Sequence, residues 1–184
     1  MRNNLRYLVL IVSSALVISC TGVPKGIEPV GKFDTEKYLG TWYEIARLDH
    51  SFERGLSQVM ATYSLRDDGG LRVLNKGYNS EENAWDSAEG KAYFVDDETI
   101  GHLKVSFFGP FYGSYIVFEL DHENYQYAFI TSYNRNYLWF LSRTPTVDPQ
   151  LLKHFLQVIE EKGFDPQALI FVDQSILENN SIQN

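Results

Sequence analysis

Residues Lys37–Arg47, KYLGTWYEIAR, set a glycine two positions ahead of a tryptophan and run on into a half-alternating, β-favouring stretch that ends on a cation. Glycine at the entry of a strand marks a place where the backbone needs room or an unusual turn. A tryptophan two residues later puts a large ring on one face, with Glu44 on the same face and Tyr43 on the other. This is the start of a β domain, and the rest of the chain must supply its partners.

Seven further strand-like runs follow at short spacing: QVMATYSL, LRVLNKGY, WDSAEGKAYFV, HLKVSFF, SYIVFEL, YQYAFIT and YLWFLSR, each bounded by Gly, Asp, Asn or Pro clusters. Short strands joined by hairpin-length turns point to an antiparallel barrel or sandwich. The alternation is legible within them. Leu103, Val105 and Phe107 share one face of their run, whereas His102, Lys104 and Ser106 share the other, which is read as wet. Beyond the strands the period changes. Leu151, Leu152, Phe155, Val158 and Ile159 form a single apolar stripe of one C-terminal helix, with Asp148 as N-cap, Pro149 as first helical residue and Gly163 just past the end. The run LIFVD fits an added edge strand. An up-and-down order with short hairpins and one helix favours a closed, eight-stranded antiparallel β-barrel, all-β but for that helix, whose interior is either filled by side chains or holds one small ligand.

Upstream, MRNNLRYLVLIVSSALVISC carries Arg2 and Arg6 and then an uncharged apolar run from Tyr7 to Ile18. That run is too short for the ~20 residues of a membrane-spanning helix and suits a signal peptide over residues 1–19. Cys20 is the only cysteine in the sequence. VISC resembles the lipobox of bacterial lipoproteins, in which that cysteine becomes the lipidated first residue of the mature chain; an ordinary cleaved signal is the alternative. Two acyl chains suffice for stable anchoring. By resemblance to Gram-negative lipoproteins, Thr21 after the cysteine implies the outer membrane, with the body on its periplasmic face. Residues 20–31, with their prolines and glycines, are read as a flexible tether, residues 32–175 as the barrel with its helix, and 176–184 as a loose tail. With no second cysteine an internal disulfide is impossible, so the fold rests on its core. Loss of the signal removes Arg2 and Arg6 and moves the formal charge from −8 to −10, which argues against a nucleic-acid partner.

Gly40-Thr41-Trp42, LDHENY around Asp121, and Arg143 in LWFLSRTP resemble the three signatures of the lipocalins. GTWYEIARLDHSFERGL, ATYSLRDDGGL and LKVSFFGPFYG resemble the bacterial branch of that family, and the likeness covers nearly the whole chain after Cys20. It implies that Gly40, Trp42, Asp121 and Arg143 converge on the closed floor of the barrel as structural residues. There Trp42 plugs the narrow end, with the Arg143 guanidinium laid over its indole. It also implies, with strand parity, a ligand wall of Ala61, Tyr63, Val73, Asn75, Val105, Phe107, Tyr115, Val117, Trp139 and Leu141. Ala61 and Gly77 are read as leaving room for a cavity.

The ligand so implied is a fatty acid or lysophospholipid, held for storage or transport during envelope maintenance under stress. The rival reading is an anchored structural or partner-binding lipoprotein with a filled barrel. At the other end, FFGPFYG offers Phe108, Phe111 and Tyr112 with no core to enter, and three roles fit: a homodimer through the open-end loops, membrane insertion, or packing against Phe52. Arg47, Arg54 and Arg135 are the cations nearest this end for an anionic headgroup. Enzyme chemistry finds no support. There is no Gly-x-Ser-x-Gly elbow, no histidine pair stands at metal-ligand spacing, and no cofactor is expected.

Overall fold

A computed structural model describes residues 21–175. The expected signal peptide, Cys20 and the tail from 176 lie outside them. Eight antiparallel strands close into a barrel: β1 (Gly40–Leu48), β2 (Leu56–Leu65), β3 (Leu71–Asn79), β4 (Ala84–Phe94), β5 (His102–Ser106), β6 (Gly113–Leu120), β7 (Tyr127–Thr131) and β8 (Leu138–Ser142). Each pairs with its sequence neighbour and β1 pairs with both β2 and β8, which closes the cylinder. A short β9 (Leu169–Phe171) adds to β1 from outside.

Alternation sorts the side chains into two cores. The inner one gathers Trp42, Tyr63, Val73, Leu103, Ile130 and Leu141, among others. The outer one forms where the helix α2 (Pro149–Glu161) lies on the barrel, and its Phe155 and Ile159 meet Ile45, Ile116, Phe129 and Phe140. Burying those two helix side chains contributes roughly 1.5–3 kcal/mol each. Asp148 caps α2 by accepting from Gln150 N at 2.7 Å, and Pro149 opens its first turn.

The floor is closed by residues distant in sequence. Gly40 has φ +93°, so the backbone calls for glycine, while a Cβ there would only touch Arg143 Nη1 at 3.4 Å. Arg143 stacks 3.8 Å over the Trp42 ring and donates to three carbonyls, Thr41 (2.9 Å), Lys37 (2.7 Å) and Tyr125 (3.2 Å). Asp121 holds the last floor turn by accepting from Glu123, Asn124 and Gln126 backbone N–H groups. A four-residue helix, α1 (Thr35–Tyr38), was not evident from periodicity; Asp34 caps it and Trp42 Nε1 donates to its Tyr38 carbonyl at 2.8 Å.

The flexible tether expected over residues 20–31 is corrected by the structure. From Gly22 onward the segment is a strap laid down the outside of the barrel. Ser114 Oγ donates to Gly22 O (2.9 Å), Val30 N donates to Val117 O (2.9 Å), Gly101 N donates to Val30 O (2.8 Å) and Phe33 N donates to Thr99 O (2.8 Å). Ile27, Val30 and Phe33 recur every third residue and pack on the two cores. Pro24 opens a tight turn in it, closed by the bond from Ile27 N to Pro24 O at 3.0 Å with Gly26 at φ +82°. His102, expected on a wet face, is half-buried beside the strap, and burial pushes its pKa down.

Candidate functional site

The barrel encloses a cavity of about 560 Å³, within the ordinary range for small-molecule sites. Ala61 and Tyr63 on β2, Val73 and Asn75 on β3, Val105 on β5, Phe107 just past it, Tyr115 on β6, and Trp139 and Leu141 on β8 all border it. Val117, the tenth residue of the expected wall, does not. It is fully buried where the strap and the Thr99–Gly101 turn cross β6, its backbone bonded to Val30 and Gly101. Gly77 borders the cavity, and the room left by its missing side chain is taken up by Leu56, whose Cδ1 would lie 2.9 Å from a Cβ there.

Besides single polar residues such as Asn75 and Ser106, two polar clusters interrupt the apolar wall. At depth, Tyr115 Oη lies 2.7 Å from Tyr38 Oη and 2.8 Å from Tyr63 Oη. Burial drives all three phenol pKa values up, so the hydroxyls stay neutral donors and acceptors. Tyr38 enters from α1, and no strand pattern in the sequence could have put it there.

Nearer the mouth a bulge reorders the side chains. The pairing of β1 with β8 slips between Glu44 and Ala46, so Ile45 and Ala46 both face the outer core while Glu44 and Arg47 both turn inward. One extra residue in one strand reverses the parity of all that follows it. Arg47 is thereby corrected from a mouth cation to a buried structural one. Its Nη1 donates to Glu44 Oε1 at 2.7 Å, and its Nη2 donates to the Glu53 and Leu56 carbonyls. Glu53 accepts from Trp139 Nε1 at 3.1 Å, and both Glu44 and Glu53 border the cavity. Burial raises both carboxyl pKa values, and Glu53 raises that of Glu44 further, against the pull of Arg47. The guanidinium is thus paired with the Glu44 carboxyl alone and reaches Glu53 through its backbone carbonyl, while the two carboxyls lie close enough to disfavour charge on both.

His50 lies behind this group, stacked on Phe52 at 4.3 Å, with its Nδ1 3.3 Å from Glu53 Oε2 but out of hydrogen-bond geometry. Burial, then the charge of Arg47, lowers its pKa to about 4, so at neutral pH the ring is uncharged and the contact is no ion pair. The unfolded chain, with a histidine pKa of 6.5, takes up the proton first as the pH falls. The stability His50 contributes is therefore full above about 6.5 and is lost as the pH drops toward 4. The raised carboxyls act with the opposite sign, so a bulk melting curve mixes the two. A ring-resolved NMR titration separates them: the His50 midpoint is expected near 4, and a midpoint above 6 would contradict this environment.

Of the other expected mouth cations, Arg54 borders the cavity but is paired with Asp49 at 2.6 Å. Arg135 is tied to the Lys162 and Lys25 carbonyls, locking the end of α2 to the strap. Tyr112 folds back on the outer wall beneath Lys91 and Lys104, whereas Phe108 and Phe111 stay exposed at the rim.

Comparison with known proteins agrees with this architecture. Residues 33–174 match the lipocalin-like domain family. The chain is 58% identical over 170 residues to the outer membrane lipoprotein Blc of Vibrio cholerae, covering 92% of this chain and 99% of that one. It is 54% identical to Blc of Escherichia coli strain K12, covering 86% and 90%, and 31% identical to mouse apolipoprotein D, covering 78% of each. Insecticyanin of the tobacco hornworm Manduca sexta superposes with a TM-score of 0.66 at 20% identity, over 83% of this chain and 86% of that one, a likeness of fold alone.

Proposed function

Since the chain belongs to the lipocalin family, we propose that it is a lipid-anchored binding protein that takes up fatty acids or lysophospholipids in its barrel. The observation that carries the reading is the cavity of about 560 Å³ walled by Val73, Val105, Phe107, Tyr115, Trp139 and Leu141. An acyl chain suits such a wall. Ten buried methylenes contribute about 8 kcal/mol at ~0.8 each. After several kcal/mol of association and ordering cost, micromolar binding, about −8.2 kcal/mol, requires somewhat more than ten.

Cys20 carries the anchor in this reading, and its likeness to a lipobox is supported by relatives whose names call them outer membrane lipoproteins. The body then lies on the periplasmic face of the outer membrane, and its role is to hold acyl chains out of water while the envelope is maintained or repaired under stress. No catalytic step is part of the proposal. An anchored body with a filled barrel is disfavoured by the empty interior.

A fluorescence titration with palmitate and with its lysophospholipid tests the reading. Trp139 borders the cavity, whereas Trp42 is buried in the floor and Trp85 lies on the outer surface. A saturable change near micromolar that disappears in Trp139→Phe is expected. A folded, delipidated protein that responds to neither lipid would overturn the proposal.

A further inference from the structure

We propose that the open end of the barrel faces the bilayer holding the lipidated Cys20, and that Phe108 and Phe111 enter the surface of that bilayer. The inference rests on the anchored reading of Cys20 and adds to it an orientation and a contact surface. Its first support is the strap. Gly22 is bonded to Ser114, the second residue of β6 and a cavity-bordering position at the mouth. Three residues on, the Lys25 carbonyl accepts from Arg135 in the β7–β8 turn, at the same end. The described chain therefore begins beside the mouth and not beside the floor, and the two residues that join Gly22 to Cys20 span at most about 7 Å.

The second support is independent of the anchor. Exposed apolar side chains gather at this end: Phe108 is 81% exposed, Phe111 68%, Phe52 59% and Tyr133 39%, and all four rim the cavity. Val23, in the strap beside them, is exposed too. At the floor the exposed large hydrophobic residue is Leu65, and the remaining ones include Ile170 and Phe171 on the edge strand β9. Aromatic rings favour the interface between water and hydrocarbon, and a contiguous apolar patch at a cavity mouth marks a contact surface.

Charge selects the kind of bilayer. Without the expected signal the chain is formally −10, and Glu81 and Glu82 occupy the β3–β4 turn at the mouth, so a zwitterionic surface is accepted where an anionic one is repelled. In this orientation an acyl chain passes between bilayer and cavity through an apolar rim without crossing water. A second copy of the chain is the other occupant that such a rim invites.

The test uses the full lipidated chain held by its anchor in phosphatidylcholine vesicles whose acyl chains carry bromine, a short-range quencher of tryptophan. Single variants Phe111→Trp at the rim and Leu65→Trp at the floor are compared with the parent, with excess unbrominated palmitate present to keep brominated lipid out of the cavity. Phe111→Trp is expected to lose much of its added emission and Leu65→Trp to keep its own. Equal quenching at the two positions would overturn the proposal. So would a rim tryptophan left unquenched while crosslinking traps dimers on the vesicles, or a chain the vesicles do not retain. None of these outcomes depends on acyl binding, which the Trp139 titration reports separately.

Discussion

Val105→Trp is expected to weaken acyl binding more than a hundredfold while the barrel stays folded. Val105 is half-buried on β5, opposite Ala92 on β4 and Gly113 on β6, and borders the cavity. An indole at this position occupies space that four or five methylenes of a ligand would otherwise fill. At ~0.8 kcal/mol per methylene this forfeits roughly 3–4 kcal/mol, and each 1.4 kcal/mol is about tenfold in affinity. The open volume beside Val105 spares the variant the 1–3 kcal/mol that overpacking costs in a filled core. The same change at Val117 would be a poor test, because that residue is fully enclosed and would strain the fold instead. Isothermal titration with palmitate, alongside a thermal melt, checks both halves. Undiminished affinity in a folded variant would place the ligand outside this cavity.

A second large effect is expected on stability. Arg143→Ala should destabilise the protein by about 3–5 kcal/mol, given ~1.5–3 kcal/mol for a hydrogen bond from a charged group and about 2 kcal/mol for a desolvated cation–π contact. The sum of the parts is larger, and partial exposure of the guanidinium reduces it. For a chain of this size each kcal/mol is worth roughly 2–4 °C, so the melting temperature should fall by on the order of 10 °C. Arg143 ties together β8, β1, α1 and the Asp121 turn, reaching the Thr41, Lys37 and Tyr125 carbonyls while covering Trp42. Arg143→Lys should recover only part of the loss, since an ammonium lacks the planar fork that spans several acceptors. A loss below about 1 kcal/mol in a denaturant titration would mean that the floor is held by Trp42 burial alone.

Most of the barrel was legible because its rules are local. The stripe from Leu151 to Ile159 and the turn residues between runs depend on neighbours in sequence and have their counterparts in the structure, and in LKVSFF the apolar face of Leu103, Val105 and Phe107 does too, whereas Ser106, expected on the wet face, is buried at the cavity. The cavity wall followed from the same parity once the likeness to the lipocalins marked which face is inward, which is why Val73, Val105, Trp139 and Leu141 were identifiable from the sequence. The strap is not legible from its prolines and glycines, because what holds it is the packing of Ile27, Val30 and Phe33 on the two cores.

What the amino-acid order determined by itself is therefore the set of strands, the helix, the floor signature and the two alternating faces of each unbulged strand. Only the tertiary structure decided that Arg47 lies inside with Glu44 and Glu53, that Val117 is sealed beneath the strap, that Tyr38 joins the hydroxyl cluster, and that the chain after Cys20 starts at the open end. The physical reason is common to all four. A bulge, a crossing strap and a short floor helix arise from register between segments far apart in the chain, and alternation carries no record of a one-residue slip until the partner strand is in place.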